Sequence, residues 1–166
     1  MITKAKYNLP GYDNDAIFKL WRLLDHTRFM IARLREQELA RQGVTAIQVY
    51  VLDILNCMGG STTINDILAI TGRRHHTIST LINRMSIRGL VSRKKNDTDN
   101  RKWEVSITPE GAELFARISR DYIHQIFGIL SPEDCEELER VLTRLLSTAY
   151  DMQGETNTPR FIPTNE

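Results

Sequence analysis

The sequence predicts a mostly α-helical chain with one small β-hairpin, and three observations carry that expectation. Apolar residues recur at three- and four-residue spacing along most of the 166 residues, the period of an amphipathic helix. One segment breaks the pattern: "LVSRKK" and "KWEVSI" flank the polar turn "NDTDNR", and Trp103, Val105 and Ile107 alternate with Glu104 and Ser106, the period of a half-buried strand. Helix-start signals recur where the helical period resumes, at Thr63 with Asp66, at Thr108-Pro109-Glu110 and at Ser131-Pro132-Glu133-Asp134. They pair an N-cap oxygen with an acid or a proline in the first turn.

The first helix is expected over 15–42, capped by Asp13 or Asn14 and stopped by Gly43. Ile17, Leu20, Trp21, Leu24 and Ile31 make one apolar stripe, and Leu23, Met30 and Leu34 make a second. One stripe suffices to pack a helix on its own domain, so two imply a further covered surface. At about 1.5 Å per residue such a helix is roughly 40 Å long, more than a compact domain of this size needs. A second chain is the economical cover.

"TAIQVYVLDILNCM" (45–58) gives the second helix, "GGS" (59–61) breaks the chain, and "TINDILAITG" gives a short helix ended by Gly72. The next helix, 73–90, has a narrow apolar stripe of Ile78, Leu81, Ile82 and Met85 and stops at Gly89. Its opposite face shows Arg73, Arg74, His75, His76, Thr77, Ser79, Thr80, Asn83 and Arg84. After the hairpin, one helix is expected from 109 to about 129 and a last one from Ser131 to about 152. The divisions read as an N-terminal arm and first dimerisation helix (1–42), a lobe (43–108), C-terminal dimerisation helices (109–152) and a Thr/Pro/Asn-rich tail (153–166).

Charge is divided unevenly. Residues 73–103 hold nine Lys or Arg against two acids, a local +7, while the other residues hold 13 bases against 19 acids. A total of only +1 therefore conceals a polarised molecule, as a polyanion-binding face requires. A short helix, a glycine turn, a donor-rich helix and a basic hairpin together read as a winged helix-turn-helix. Arg, Asn, Ser, Thr and His suit base edges in the major groove, and Lys and Arg suit phosphates. The hairpin is then a wing bearing Arg93, Lys94, Lys95, Arg101 and Lys102. Arg101 near its tip is expected to enter the minor groove, with Asp99 holding its guanidinium. The implied partner is a double-stranded DNA operator.

These residues carry a resemblance. The wing segment is similar to that of the MarR family of bacterial and archaeal transcriptional regulators. Its motifs stand here as Gly89-Leu90-Val91-Ser92-Arg93, Asp99-Asn100-Arg101 and Ile107-Thr108-Pro109-Glu110-Gly111, with Ile107 where the family usually has Leu. The likeness covers about residues 14–150. It implies a homodimer with interlocked terminal helices, two winged lobes on a palindromic operator, and in many members repression relieved by a small phenolic or aromatic anion. It also places ligand sites between the dimer helices and the lobe. On the first helix Phe18, Arg22, His26, Phe29 and Arg33 form a strip of rings and cations that could receive such an anion, with Arg93 facing the same cleft; the alternative is a dimer contact or a solvated face.

Other classes find less support. Cys57, among apolar residues, reads as a core residue, and Cys135 falls in the first turn of the last helix; neither lies in the first helix, where a peroxide-sensing branch of the family has its cysteine. His75 and His76 are adjacent and point apart, and His26 and His124 have no ligand at useful spacing, so no metal is expected. No phosphate loop or nucleophile elbow appears, so neither a catalytic residue nor a cofactor is expected. No apolar run approaches bilayer length or a signal peptide, which leads us to expect a cytoplasmic protein without membrane contact. The alternatives left open are a winged-helix module for protein interaction and a DNA-binding regulator with no ligand.

Overall fold

The computed structural model describes residues 15–95 and 103–154. Helix α1 spans Ala16–Ala40 and α2 spans Ala46–Cys57, followed by strand β1 (Ser61–Thr63), α3 (Ile64–Thr71) and α4 (His75–Ile87). Strands β2 (Val91–Lys95) and β3 (Trp103–Ile107) lead into α5 (Pro109–Arg117), α6 (Asp121–Phe127) and α7 (Pro132–Gln153). The fold class is thus mostly α with a small β-wing, as the sequence predicts. The three strands form one antiparallel sheet in the order β1-β3-β2.

Local chemistry sets most boundaries. Thr63 and Asp66, and Ser131 and Asp134, form reciprocal capping boxes at the starts of α3 and α7. A third box, Thr45 with Gln48, starts α2. The first helix is capped by Asp15, whose carboxylate accepts from the backbone N–H groups of Ile17 and Phe18; the expected caps Asp13 and Asn14 lie outside the described residues. Gly72 and Gly89 take left-handed φ angles of 59° and 73°, a conformation in which other residues are strained. Past Gly89, the Leu90 N–H returns to the Met85 carbonyl at 2.9 Å, closing α4 and turning the chain into the wing.

The lobe is held by one apolar core. Val51, Leu52 and Leu55 of α2 meet Ile67 of α3, Ile78, Ile82 and Met85 of α4, and Val91 and Val105 of the sheet. Each such side chain contributes about 1.5–3 kcal/mol on burial, so this layer dominates the lobe's stability. Glycine decides one close approach. A Cβ at Gly111 would stand 2.0 Å from the Leu90 carbonyl oxygen, while the Thr108 hydroxyl donates to the Gly89 carbonyl at 2.5 Å and accepts from the Gly111 N–H at 3.0 Å. The Thr-Pro-Glu-Gly segment therefore fastens α5 against the end of α4.

Three expectations need correction. The helix expected from 109 to about 129 is two helices, broken at Ile118, whose φ of −62° and ψ of 120° are extended. Ile118 turns into a second small core with Leu39 and Val44, and Ser119 bonds to α1 and the turn after it instead of to its own helix. Strand β1 lies where only a chain break was expected; three residues are too few to display alternation. Cys57 is exposed rather than buried. It shares the face of Tyr50 and Asp53, whereas the core takes the face of Val51, Leu55 and Met58.

Candidate nucleic-acid interface

The helix expected over 73–90 runs only from His75 to Ile87, and Arg74 occupies the N-cap position in extended conformation without a side-chain cap. Arg73 and Arg74 therefore lie in the turn between α3 and α4, both exposed, beside the free N–H groups of the helix start. His75, His76, Thr77, Asn83 and Arg84 are exposed along α4, and Ser79 and Thr80 are half-buried at its flank. Ile78, Ile82 and Met85 are the buried side, so the donor face and the core face separate cleanly. The Ser79 hydroxyl and His75 Nδ1 are 3.3 Å apart. From Arg73 to Lys95 the chain contains no Asp or Glu.

The strand register divides the wing. Arg93 pairs across from Val105, Lys94 from Glu104 and Lys95 from Trp103. Because side chains alternate between faces, Arg93 shares the inner face with Val91 and Val105. It is half-buried, and its guanidinium lies 4.8 Å from the centre of the Trp103 ring, a cation–π distance. Its Nε is buried without a hydrogen-bond partner. On the other face Lys94 Nζ is 3.4 Å from Glu104 Oε2, and the Ser61 hydroxyl donates to Glu104 Oε1 at 3.1 Å, so one chain of contacts ties all three strands. Lys95 is exposed. Asp99, Arg101 and Lys102 lie outside the described residues.

The strip expected on α1 is a ridge. Arg22, His26, Phe29 and Arg33 are exposed and Phe18 is half-buried, and the His26 and Phe29 rings stack at 6.4 Å. Of the strip, Arg22 and His26 border a depression of about 510 Å³. Another concavity, a cleft of about 430 Å³, lies elsewhere, between α1, α2, α5 and α6. Its walls include Leu39, Val49, Phe115 and Ile118, and its polar groups are Arg35, Tyr50, Asp53 and Arg120. Burial pushes the Asp53 carboxyl up against the pull of Arg120; burial, with Tyr150 and Asp53, pushes the Tyr50 phenol up. The sequence reading missed these residues, because they converge from helices far apart in the chain.

Desolvation and the neighbouring Asp53 push the Cys57 thiol up, which works against a reactive thiolate. Among the described residues no group of three His, Cys, Asp or Glu side chains could hold a metal ion. No described helix is long and apolar enough to cross a membrane.

A short helix, a glycine turn, a second helix with an exposed donor face and a three-stranded wing define a winged helix-turn-helix protein. Residues 42–102 match the model of the MarR family. Over that winged segment the chain is similar to the family. Among curated proteins it is similar to the transcriptional repressor MprA of Escherichia coli strain K12, at 22% identity over 82% of this chain and 80% of that protein. Among solved structures it is similar to a mutant MarR from E. coli complexed with operator DNA, at 23% identity and a TM-score of 0.69 over 78% of this chain and 95% of that one. It is also similar to the organohalide-sensing regulator RdhR in its 2,4-dichlorophenol-bound form, at 20% identity and a TM-score of 0.71 over 87% and 89% of the two chains.

Proposed function

We propose that this chain is a transcriptional repressor that grips a palindromic DNA operator as a homodimer and lets go when a small aromatic or phenolic anion enters the cleft beside α5 and α6. The observation that carries the DNA reading is the acid-free run from Arg73 to Lys95, seven cations folded into one turn, one helix face and one wing strand. Exposed Arg, Asn and Thr on α4 are the groups that read base edges, and Arg73, Arg74, Lys94 and Lys95 are placed to meet phosphates. The complex of the E. coli relative with operator DNA and the role of MprA as a repressor support this reading.

The homodimer rests on apolar surface. Ile17, Leu20, Trp21, Leu23 and Leu24 of α1 are exposed, as are Leu142 and Leu145 of α7. An apolar groove of about 350 Å³ runs along α7 between Phe127, Leu138, Leu142 and Leu146. Exposed apolar surface on this scale calls for a covering partner, and the α1 of a second copy supplies a matching apolar stripe. The anion reading rests on the cleft: apolar walls with two arginines and a phenol suit an aromatic anion. The dichlorophenol complex of RdhR supports a ligand of that class.

A salt titration of duplex binding tests the proposal. If each lobe meets four or five phosphates, the logarithm of affinity should fall against the logarithm of salt with a slope of roughly −7 to −9. A slope near zero contradicts it and leaves a protein-binding winged helix in its place.

A further inference from the structure

The guanidinium of Arg93 is held against a ring. Its Nε is buried without a hydrogen-bond partner, and a buried donor left unpaired calls for a physical account. Trp103 supplies it. Lys95 stands across from Trp103 and Arg93 across from Val105, so Arg93 and Trp103 are diagonal neighbours on one face of the sheet. Long and aromatic side chains span that spacing. At 4.8 Å from the ring centre the guanidinium meets the negative face of the indole, the side-chain ring that attracts a cation best. Trp103 opens β3, and two residues on the strand is pinned by Val105, which is fully buried. The ring therefore has a fixed base.

The face that carries Arg93 is the one packed on α4. Val91 and Val105 on that face share a core with Ile78, Ile82 and Met85, and Arg93 is the next residue outward along β2 on the same side. It stands in the crease between α4 and the wing. When a recognition helix fills the major groove and a wing enters the adjacent minor groove, the phosphates that separate the two grooves pass through that crease. We propose that Trp103 is a positioning residue for DNA binding: it sets the Arg93 guanidinium in the crease before the duplex arrives, and Arg93 then clamps a phosphate there. The inference rests on the DNA reading of α4 and the wing, and gives a role to a side chain that acts through its neighbour. With Nε buried, the two terminal nitrogens are the edge left to a phosphate, and such a planar fork grips two oxygens at once. An arginine in open solvent has a long, flexible stem to order on binding, and one already laid on a ring loses less freedom. Lys94 has a different arrangement, since it lies on the other face against Glu104.

The test titrates the full-length protein, by fluorescence anisotropy over a range of salt, against a duplex that the wild-type chain has selected from a random-sequence pool. It compares the wild type with Arg93→Ala, Trp103→Leu, Trp103→Phe and the double variant Arg93→Ala with Trp103→Leu. Arg93→Ala should weaken binding and reduce the salt slope by roughly 1 for each phosphate lost. Trp103→Leu should weaken binding by about threefold to tenfold through the freedom Arg93 must then give up, with the slope unchanged because the arginine still reaches its phosphate. Trp103→Phe keeps a ring face and should recover most of that loss. In the Arg93→Ala background the leucine should cost nothing further. Wild-type affinity in Trp103→Leu, or an equal loss with and without Arg93, overturns the positioning role. A slope that falls in Trp103→Leu as far as in Arg93→Ala also overturns it, since the wing as a whole would then have lost its contacts. A wild-type chain that enriches no duplex, or binds with a slope near zero, sinks the DNA reading itself and is seen without any variant. If Trp103→Leu does not fold, Trp103→Thr, a strand-forming residue without a ring, takes its place with the same expected results.

Discussion

Replacing Gly111 with alanine should destabilise this protein, against the usual direction of such a change. An alanine within a helix ordinarily gains about 1 kcal/mol over glycine. Here the added methyl would stand 2.0 Å from the Leu90 carbonyl oxygen and 3.1 Å from Ile107 Cγ1. The carbonyl cannot swing aside freely, because it accepts from the Thr108 N–H at 3.2 Å and its residue is buried. The start of α5 must therefore move away from β2 by about 1 Å or more to reach ordinary van der Waals separation. That movement pulls on the Thr108 cap, worth about 1 kcal/mol, and adds an overpacking cost of about 1–3 kcal/mol. The sum, about 2–4 kcal/mol, corresponds to a fall in Tm of about 5–15 °C for a chain of this size. Thermal unfolding followed by circular dichroism, at one protein concentration, measures it. A Tm that is unchanged or raised would refute the reasoning, since α5 would then not be locked by that contact.

Glu38 gives a pH prediction. Burial raises its pKa, but the Ser119 hydroxyl, Arg35 and the Tyr122 N–H together bring it below the ordinary 4.5. The unfolded chain then binds more protons than the native one at acid pH, so this contribution is present above about pH 4.5 and is lost as pH falls through the folded pKa. Urea midpoints between pH 6 and 3 should fall more steeply in the wild type than in Glu38→Gln; parallel profiles would count against the pairing. Arg73→Ala with Arg74→Ala should lower duplex affinity and reduce the salt slope by roughly 1 for each phosphate no longer met, with the far-ultraviolet spectrum unchanged; an unaltered slope removes the α3–α4 turn from the interface. Leu24→Asp, on the exposed stripe of α1, should shift sedimentation from dimer to monomer, and a wild-type chain that sediments as a monomer would defeat the dimer outright.

Much of the fold can be read in the sequence because it is locally encoded. The boxes at Thr63 with Asp66 and Ser131 with Asp134, the prolines that open α5 and α7 and the glycines that end α3 and α4 each act within a few residues of themselves. The donor face of α4 is legible for the same reason, as it is the complement of the Ile78, Ile82 and Met85 stripe. The break at Ile118 is not legible. The apolar period runs through it, and what stops the helix is a set of partners in and just after α1, more than seventy residues away in the chain. The cleft is hidden on similar grounds. Its one local trace is the pair Arg35 and Glu38 at i and i+3 beside Leu39, where a helix entering a core would be expected to turn apolar. Position alone puts Arg93 in the wing segment, but its stacking on Trp103 depends on a strand register that the sequence leaves open.

The central claim is that two copies present their α4 helices to one duplex. A hydroxyl-radical footprint on a bound operator fragment, with the stoichiometry fixed by sedimentation, tests it most directly. Two chains per duplex and two protected half-sites about 34–36 Å apart, one helical turn, are the predicted result. A single protected patch, or one chain per duplex, would contradict it.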